Sequence, residues 1–229
     1  MTTFFTRVSI LFIGAWSLAH LQAQDSYTAW WQPQVGINYN VSPRYAQNFA
    51  VANRNFIYEG NDLKLKGRHL DLSHFSTLTI GLEQNLGLGV LYRFRKSFDT
   101  DDFDELRFMQ SFNISVRPSA IRFGHRFLSE QRILPFITVH RFRYRFTIDF
   151  PLEGENVDLG EWYLILNTES LLSVAKNQGP QYDQRFMLTL GHLLTEQLRF
   201  LTGFEYRFND YSEKTRNAGF LMTTLVISL

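Results

Sequence analysis

The sequence has 229 residues, with 23 basic and 22 acidic side chains and no cysteine. A chain without cysteine forms no disulfide and no thiolate metal site. The near-zero net charge argues against a dedicated nucleic-acid-binding protein, which normally carries a basic excess.

The first predicted element is a secretory signal peptide, residues 1–23. Arg7 supplies the positive n-region, Val8–Ala19 is a mostly apolar stretch, and Ala23 is a small residue at the cleavage position. The apolar run is shorter than the roughly 20 residues of a spanning helix. We therefore expect export and cleavage after Ala23. The remaining chain, 24–229, is expected to be a single domain.

Segments with period-two alternation follow almost to the end of the chain, and they predict an all-β fold. Aromatic and β-branched residues are common in them, while glycine, proline, asparagine and aspartate collect between them. The predicted strands are Tyr27–Asn40, Tyr45–Tyr58, His69–Glu83, Leu86–Lys96, Leu106–Arg117, Ala120–Arg132, Phe136–Phe150, Glu161–Val174, Gln184–Thr195, Leu198–Phe208 and Asn217–Leu229.

The stretch Val139–Phe150 shows the pattern most clearly. Arg141, Arg143 and Arg145 alternate with aromatic rings. Basic and aromatic residues also alternate in grooves that bind single-stranded nucleic acid, but the neutral balance and the signal peptide argue against that use. An arginine that faces lipid at the bilayer midplane costs roughly 2–4 kcal/mol, so three would cost about 6–12 kcal/mol, as much as a whole domain's stability. We therefore expect the rings to face lipid and the arginines to face the interior.

The predicted fold is a transmembrane antiparallel up-and-down β-barrel. The predicted strands are longer than the usual soluble strand of about 5–6 residues, and they suit a tilted span of about 9–11 residues. The chain also holds 22 phenylalanines and 10 tyrosines, enough for lipid-facing girdles. Because bacterial barrels usually have an even number of strands, we expect twelve strands, or alternatively ten. A soluble sandwich or periplasmic barrel that binds an apolar ligand is the competing architecture.

The lengths of the predicted connections alternate, as expected for short periplasmic turns and longer outer loops. The predicted short turns are Val41–Arg44, Gln84–Asn85, Pro118–Ser119 and Glu196. The predicted long loops are Glu59–Arg68, Ser97–Glu105, Pro151–Gly160, Ala175–Asp183 and Asn209–Arg216.

The run FGHRFLSEQRILPFITVHRFRYRFTIDFPL, Phe123–Leu152, resembles the signature region of the domain-of-unknown-function 2490 family. The matching elements are HRFLSEQR and RFRYRFTIDFPL, and WWQPQVGINYNVSPRY is similar to the family's opening strand and turn. The family comprises secreted Gram-negative proteins with predicted outer-membrane β-barrels and has no assigned activity. The resemblance implies outer-membrane lipid and the barrel assembly machinery as partners. The chain departs from the usual barrel in ending with Leu229, where an aromatic residue is commoner.

The interior faces are predicted to carry a charge network with two competing roles. Either ion pairs fill and rigidify a narrow barrel, because each buried charge needs a partner, or an excess of arginine forms an anion-attracting constriction. The protein is accordingly expected to be a non-enzymatic barrel, structural or a narrow pore or small-solute binder. The predicted network residues are Arg93, Arg95, Arg107, Arg126, Glu130, Arg132, Arg141, Arg143, Arg145, Asp149, Glu169, Glu205 and Arg207.

A lipid-modifying hydrolase is the alternative function. His74 and Ser76 lie two apart on a predicted outward strand face, which resembles the His-x-Ser pair on the outside of outer-membrane phospholipases and lipid A deacylases. The histidine would be the base and the serine the nucleophile. A clear third member is missing from the sequence, so the ordinary interpretation is a strand histidine near the membrane interface beside an unremarkable serine.

Cofactor and metal signals are weak. Gly87 and Gly89 open a strand rather than a helix, so a dinucleotide is not predicted. The carboxylates of Asp99–Glu105 lack the glycine and the ligand order of a calcium loop, which favours a solvated loop. The other outward histidines, His125, His140 and His192, share no spacing that suggests a metal. No cofactor and no metal are expected.

Overall fold

The structure is a computed structural model that describes residues 27–59, 62–213 and 215–229. The predicted signal peptide lies outside the described residues. The described regular structure is strand, as the alternation predicts. The strands are β1 (Thr28–Ser42), β2 (Tyr45–Glu59), β3 (Asp62–Thr79), β4 (Gln84–Phe94), β5 (Glu105–Val116), β6 (Arg122–Ile133), β7 (Thr138–Pro151), β8 (Trp162–Ala175), β9 (Gln178–Leu193), β10 (Leu198–Asn209) and β11 (Arg216–Ser228).

The strands form a closed barrel in which each one pairs antiparallel with the next along the chain. The first and last strands close it in parallel, from Thr28 opposite Ala218 to Asn38 opposite Ser228. The up-and-down all-β barrel is therefore confirmed, but the expected twelve or ten strands are wrong, since the described residues form eleven. An odd count makes the two end strands run in the same direction. A parallel ladder satisfies their edge groups as an antiparallel one would, so closure does not require an even number.

Two rims follow from this order. The N-terminal rim carries Tyr27 and the β2–β3, β4–β5, β6–β7, β8–β9 and β10–β11 connections. The C-terminal rim carries the other connections and Leu229. Among the described residues, none forms a helix with the length and apolar character that crossing a bilayer requires.

The predicted alternation of loop lengths is wrong. Most of Glu59–Arg68 belongs to β3, and Ala175–Asp183 is a tight turn followed by the start of β9. The long connection within Pro151–Gly160 lies at the C-terminal rim, beside short turns. Strands that project past an apolar band can be polar on both faces. Their sequence then lacks the hydrophobic alternation that marks a strand.

The two faces of the wall differ as the alternation predicts. Large apolar side chains point outward and are exposed, among them Leu88 at 65% and Phe142 at 50%. The buried side chains lie in the lumen, which is the core of this protein. Few of them are large and apolar: Phe56, Met109, Leu128, Leu171 and Phe220. The other buried side chains in the lumen are mainly charged or polar.

Candidate functional site in the barrel lumen

Two completely buried glutamates organise the lumen near the N-terminal rim. Glu105, the first residue of β5, has an exposed fraction of 0%. It lies 3.0 Å from Arg95 and 2.7 Å from Arg107. Arg132 of β6 makes two further contacts with it, at 2.5 and 3.1 Å. Several guanidinium groups are needed because a buried carboxylate loses its hydration and must be compensated by hydrogen bonds.

Glu130 is the second such carboxylate, also 0% exposed. Its oxygens lie 3.5 Å from Arg107, 3.6 Å from Arg141 and 3.4 Å from Arg143. Arg107 therefore links the two glutamates. Glu130 is therefore shared among three arginines on β5 and β7 rather than paired with one partner.

Glu169 of β8 continues the network around the wall. It accepts hydrogen bonds from Arg143 at 2.7 Å and from Arg145 at 3.0 Å, and Arg185 of β9 lies 3.5 Å away. Glu205 and Arg207, two residues apart on β10, form the next pair. The chain of contacts thus runs across neighbouring strands from β5 to β9, and the Glu205–Arg207 pair lies on the adjacent strand β10.

We call these groups, together with the Asp71–Arg93 ion pair of β3 and β4, the arginine–carboxylate plug. It contains nine arginines and five carboxylates: Arg93, Arg95, Arg107, Arg132, Arg141, Arg143, Arg145, Arg185 and Arg207, with Asp71, Glu105, Glu130, Glu169 and Glu205. The positive excess leaves donors without protein acceptors: the Nε atoms of Arg143 and Arg185 are buried and have no hydrogen-bond partner.

Aromatic rings stabilise part of the positive charge of the lumen arginines on the β11 side. The guanidinium carbon of Arg207 lies 3.7 Å from the ring centre of Phe220, and that of Arg54 lies 4.8 Å from the same ring. Arg54 also donates two hydrogen bonds to the neutral Gln32, at 3.0 and 2.7 Å. Cation–π contacts of this kind stabilise desolvated cations.

The thirteen residues predicted for the charge network all lie on inward positions or at the end of an inward row, but they do not form one cluster. Eleven belong to the plug. Asp149 is paired instead with Arg122 near the C-terminal rim, at 2.7 and 2.8 Å. Arg126 has no ion-pair partner among the described residues.

Sequence reasoning missed three members of the plug: Asp71, Glu105 and Arg185. Asp71 and Arg185 lie within predicted strands on the polar side of the alternation, so the signal was present. Glu105 was assigned to the solvated acidic loop, and that assignment is wrong, since it begins β5 and is buried. The sequence around a carboxylate at a strand end does not indicate whether its side chain faces the lumen or the solvent.

The rest of the acidic loop is held by hydrogen bonds. Asp102 pairs with Arg68. Asp104 accepts hydrogen bonds from the backbone N–H of Arg95 at 2.8 Å and of Lys96 at 3.1 Å. The bond from Arg95, reinforced by that from Lys96, lowers the pKa of Asp104 below its ordinary value. These carboxylates tie the β4–β5 loop to the barrel rim, and the described residues contain no group of histidine and acidic side chains placed to hold a metal.

His74 and Ser76 face outward on β3 and do not hydrogen-bond with each other. The Ser76 hydroxyl shares a hydrogen bond of 3.1 Å with the hydroxyl of Tyr45. His74 packs against Phe49, with ring centres 4.6 Å apart, and its Nε2 is buried without a partner. A base must reach the nucleophile's proton for catalysis, and this arrangement does not provide that contact.

Comparison with known proteins agrees with the resemblance noted in the sequence. No curated protein and no solved structure is similar to this chain at a significant level. Residues 27–218 match the family described as "Protein of unknown function (DUF2490)". This match covers the barrel from the start of β1 into β11, including all the strands that build the plug. The chain therefore belongs to the DUF2490 family.

Proposed function

We propose that this protein is a non-enzymatic outer-membrane barrel whose lumen is closed by the arginine–carboxylate plug. The observation that carries the proposal is the inverted polarity of the wall. Large side chains such as Phe49, Phe186, Leu188 and Phe204 are about half exposed on the outside, while the charged side chains are buried inside. A bilayer accommodates this distribution, because an apolar outer band faces lipid and a polar interior faces away from it.

A soluble periplasmic barrel is less well supported. A protein in water rarely exposes a contiguous apolar surface of more than a few hundred Å². Here exposed rings and aliphatic chains occur on every strand pair around the barrel, including Trp31, Leu88, Phe142 and Leu221. Such a surface in water would favour aggregation, whereas in lipid it stabilises the folded state.

The burial of the plug supports a closed barrel rather than an open porin. Glu105 and Glu130 are 0% exposed, and Arg93 and Arg107 are each 7% exposed. Charged side chains that line a water-filled channel would be hydrated and exposed. The interior at this level is filled by side chains, so the plug acts as a structural brace that joins neighbouring strands around the lumen.

Membrane fractionation together with heat-modifiable gel mobility tests this proposal. We expect the protein in the outer-membrane fraction, resistant to carbonate extraction, and migrating differently before and after boiling because a folded barrel resists denaturation by detergent. Glu105→Gln and Glu130→Gln should lower the temperature at which the mobility changes. Recovery of the unmodified protein in the soluble periplasmic fraction would refute the membrane assignment.

A further inference from the structure

Arg126 differs from the arginines of the plug because it has no carboxylate partner among the described residues. It lies on β6 on the C-terminal-rim side of the plug, and it makes no hydrogen bond or ion pair with any described residue. Its Nε is buried without a partner. Its guanidinium carbon lies 5.4 Å from the ring centre of Phe75, which holds the group against the wall of β3. The guanidinium is therefore positioned by an aromatic ring while its hydrogen-bond donors remain unused.

The surroundings of Arg126 are cationic on one side and neutral on the other. Arg145 is its direct neighbour on β7, and the side chain of Arg145 is 26% exposed, the highest value among the ion-paired plug arginines of the described chain. Towards the C-terminal rim the next inward residues on β7 and β8 are Thr147 and Asn167, which hydrogen-bond each other. Asn113 lies opposite Arg126 on β5.

The carboxylates near this position are already engaged. Glu169 binds Arg143, Arg145 and Arg185. Asp149, further towards the rim, binds Arg122. Arg126 is thus left with unused donors beside a second arginine, and the inward side chains of Asn113, Thr147 and Asn167 near it carry amides and a hydroxyl. Paired guanidinium groups recognise oxyanions through parallel N–H donors.

We propose that Arg126, with Arg145 beside it, binds an oxyanion group of a small water-soluble solute that enters the lumen from the C-terminal rim. Phe75 positions Arg126, and the neutral side chains of Asn113, Thr147 and Asn167 contact the uncharged part of the solute. Arg54, another lumen arginine without a carboxylate partner, differs because Gln32 already accepts its hydrogen bonds. The site adds a binding function to the closed barrel and does not depend on the plug's bracing role.

Isothermal titration of the full-length protein in zwitterionic detergent micelles with inorganic phosphate tests the site, at an ionic strength held constant with chloride. We expect saturable binding by the unmodified protein. Arg126→Gln should weaken it at least about tenfold, the effect of losing roughly one charge-assisted interaction. Arg117→Gln is the matched control, because Arg117 is an exposed arginine in the turn at the same rim. It should change the affinity less than about twofold.

Folding is monitored by heat-modifiable mobility, so that loss of binding and loss of the barrel are distinguished. Phe75→Leu, which keeps all charges, should weaken phosphate binding while the barrel remains folded. Phosphate binding by folded Arg126→Gln with the affinity of the unmodified protein would overturn the proposal. A lack of saturable binding at phosphate concentrations up to about 10 mM would also overturn the proposal, because a Kd above that concentration is too weak for a specific site. Neither result would affect the proposal of a closed membrane barrel.

Discussion

Asp71 and Arg93 face each other directly across the β3–β4 ladder and form a two-point ion pair inside the lumen. The Nε and Nη2 atoms of Arg93 donate to the two carboxylate oxygens of Asp71 at 2.7 and 2.6 Å. Both residues are buried, with exposed fractions of 8% and 7%. A parallel pair of charge-assisted hydrogen bonds is the strongest geometry available to these two groups.

Asp71→Asn is expected to destabilise the barrel strongly. The change leaves Arg93 buried with only a neutral partner, and removing one member of a buried pair costs about 3–5 kcal/mol. The measurement is the free energy of unfolding from denaturant titration in detergent or lipid vesicles.

Glu59→Gln is the matched control for that variant. Glu59 pairs with Lys64 at 2.7 Å, but both side chains are more than a third exposed, and pairs of this kind contribute about 0–1 kcal/mol. Equal losses of stability in the two variants would show that burial does not govern the ion pairs of this barrel.

Planar-bilayer recording should detect no steady conductance from the unmodified protein, because the plug fills the lumen with side chains. Arg141→Ala should also remain closed. Arg141 lies 3.6 Å from Glu130, which retains contacts with Arg107 and Arg143. A steady, reproducible channel from the unmodified protein would rule out the closed lumen.

Gly89→Ala is expected to disturb the lumen through Phe75. A methyl group at Gly89 would overlap the Phe75 ring, with ring carbons only 2.6 Å away. Overpacking of this kind costs about 1–3 kcal/mol. Gly36→Ala is the control, since a methyl group there would meet its nearest neighbours at ordinary distances of 3.7–3.9 Å.

A double-mutant cycle with Phe75→Leu separates the overlap from other effects of Gly89→Ala. The smaller side chain should recover part of the lost stability, because contacting residues couple. Purely additive losses would contradict a direct clash between the two positions.

The β4–β5 loop is expected to loosen at acid pH. The backbone N–H groups of Arg95 and Lys96 bind the ionised form of Asp104 and lower its pKa. A carboxyl with a lowered folded-state pKa stabilises the structure above its unfolded value, about 4, and loses this contribution as the pH falls through the folded value. Hydrogen exchange at the Arg95 and Lys96 amides, corrected for intrinsic rates, should be slow at neutral pH and faster near pH 3.

Asp104→Ala should show fast exchange at both pH values, and Asp101→Ala, in the same loop, should behave like the unmodified protein. If exchange in the unmodified protein were independent of pH after correction, Asp104 would not hold these amides.

The sequence alone was sufficient for the faces of the wall. In β7 the arginines alternate with aromatic rings, and period two assigns opposite sides to them whatever the neighbouring strands are. The cost of an arginine in lipid then orients the faces. Arg143 points to the lumen as that argument requires, where it contacts Glu130 and Glu169.

The tertiary structure decided which charges meet and how the barrel closes. Glu105 enters the plug because the register of β4, β5 and β6 brings Arg95, Arg107 and Arg132 to it, whereas its sequence context is an acidic loop. Arg126, with the same period-two signal as its neighbours, is left without a carboxylate. The parallel pairing of β1 with β11 likewise depends on hydrogen bonds between chain ends. Alternation is a local property of one strand, but partner identity and strand number depend on long-range register, which no short stretch of sequence encodes.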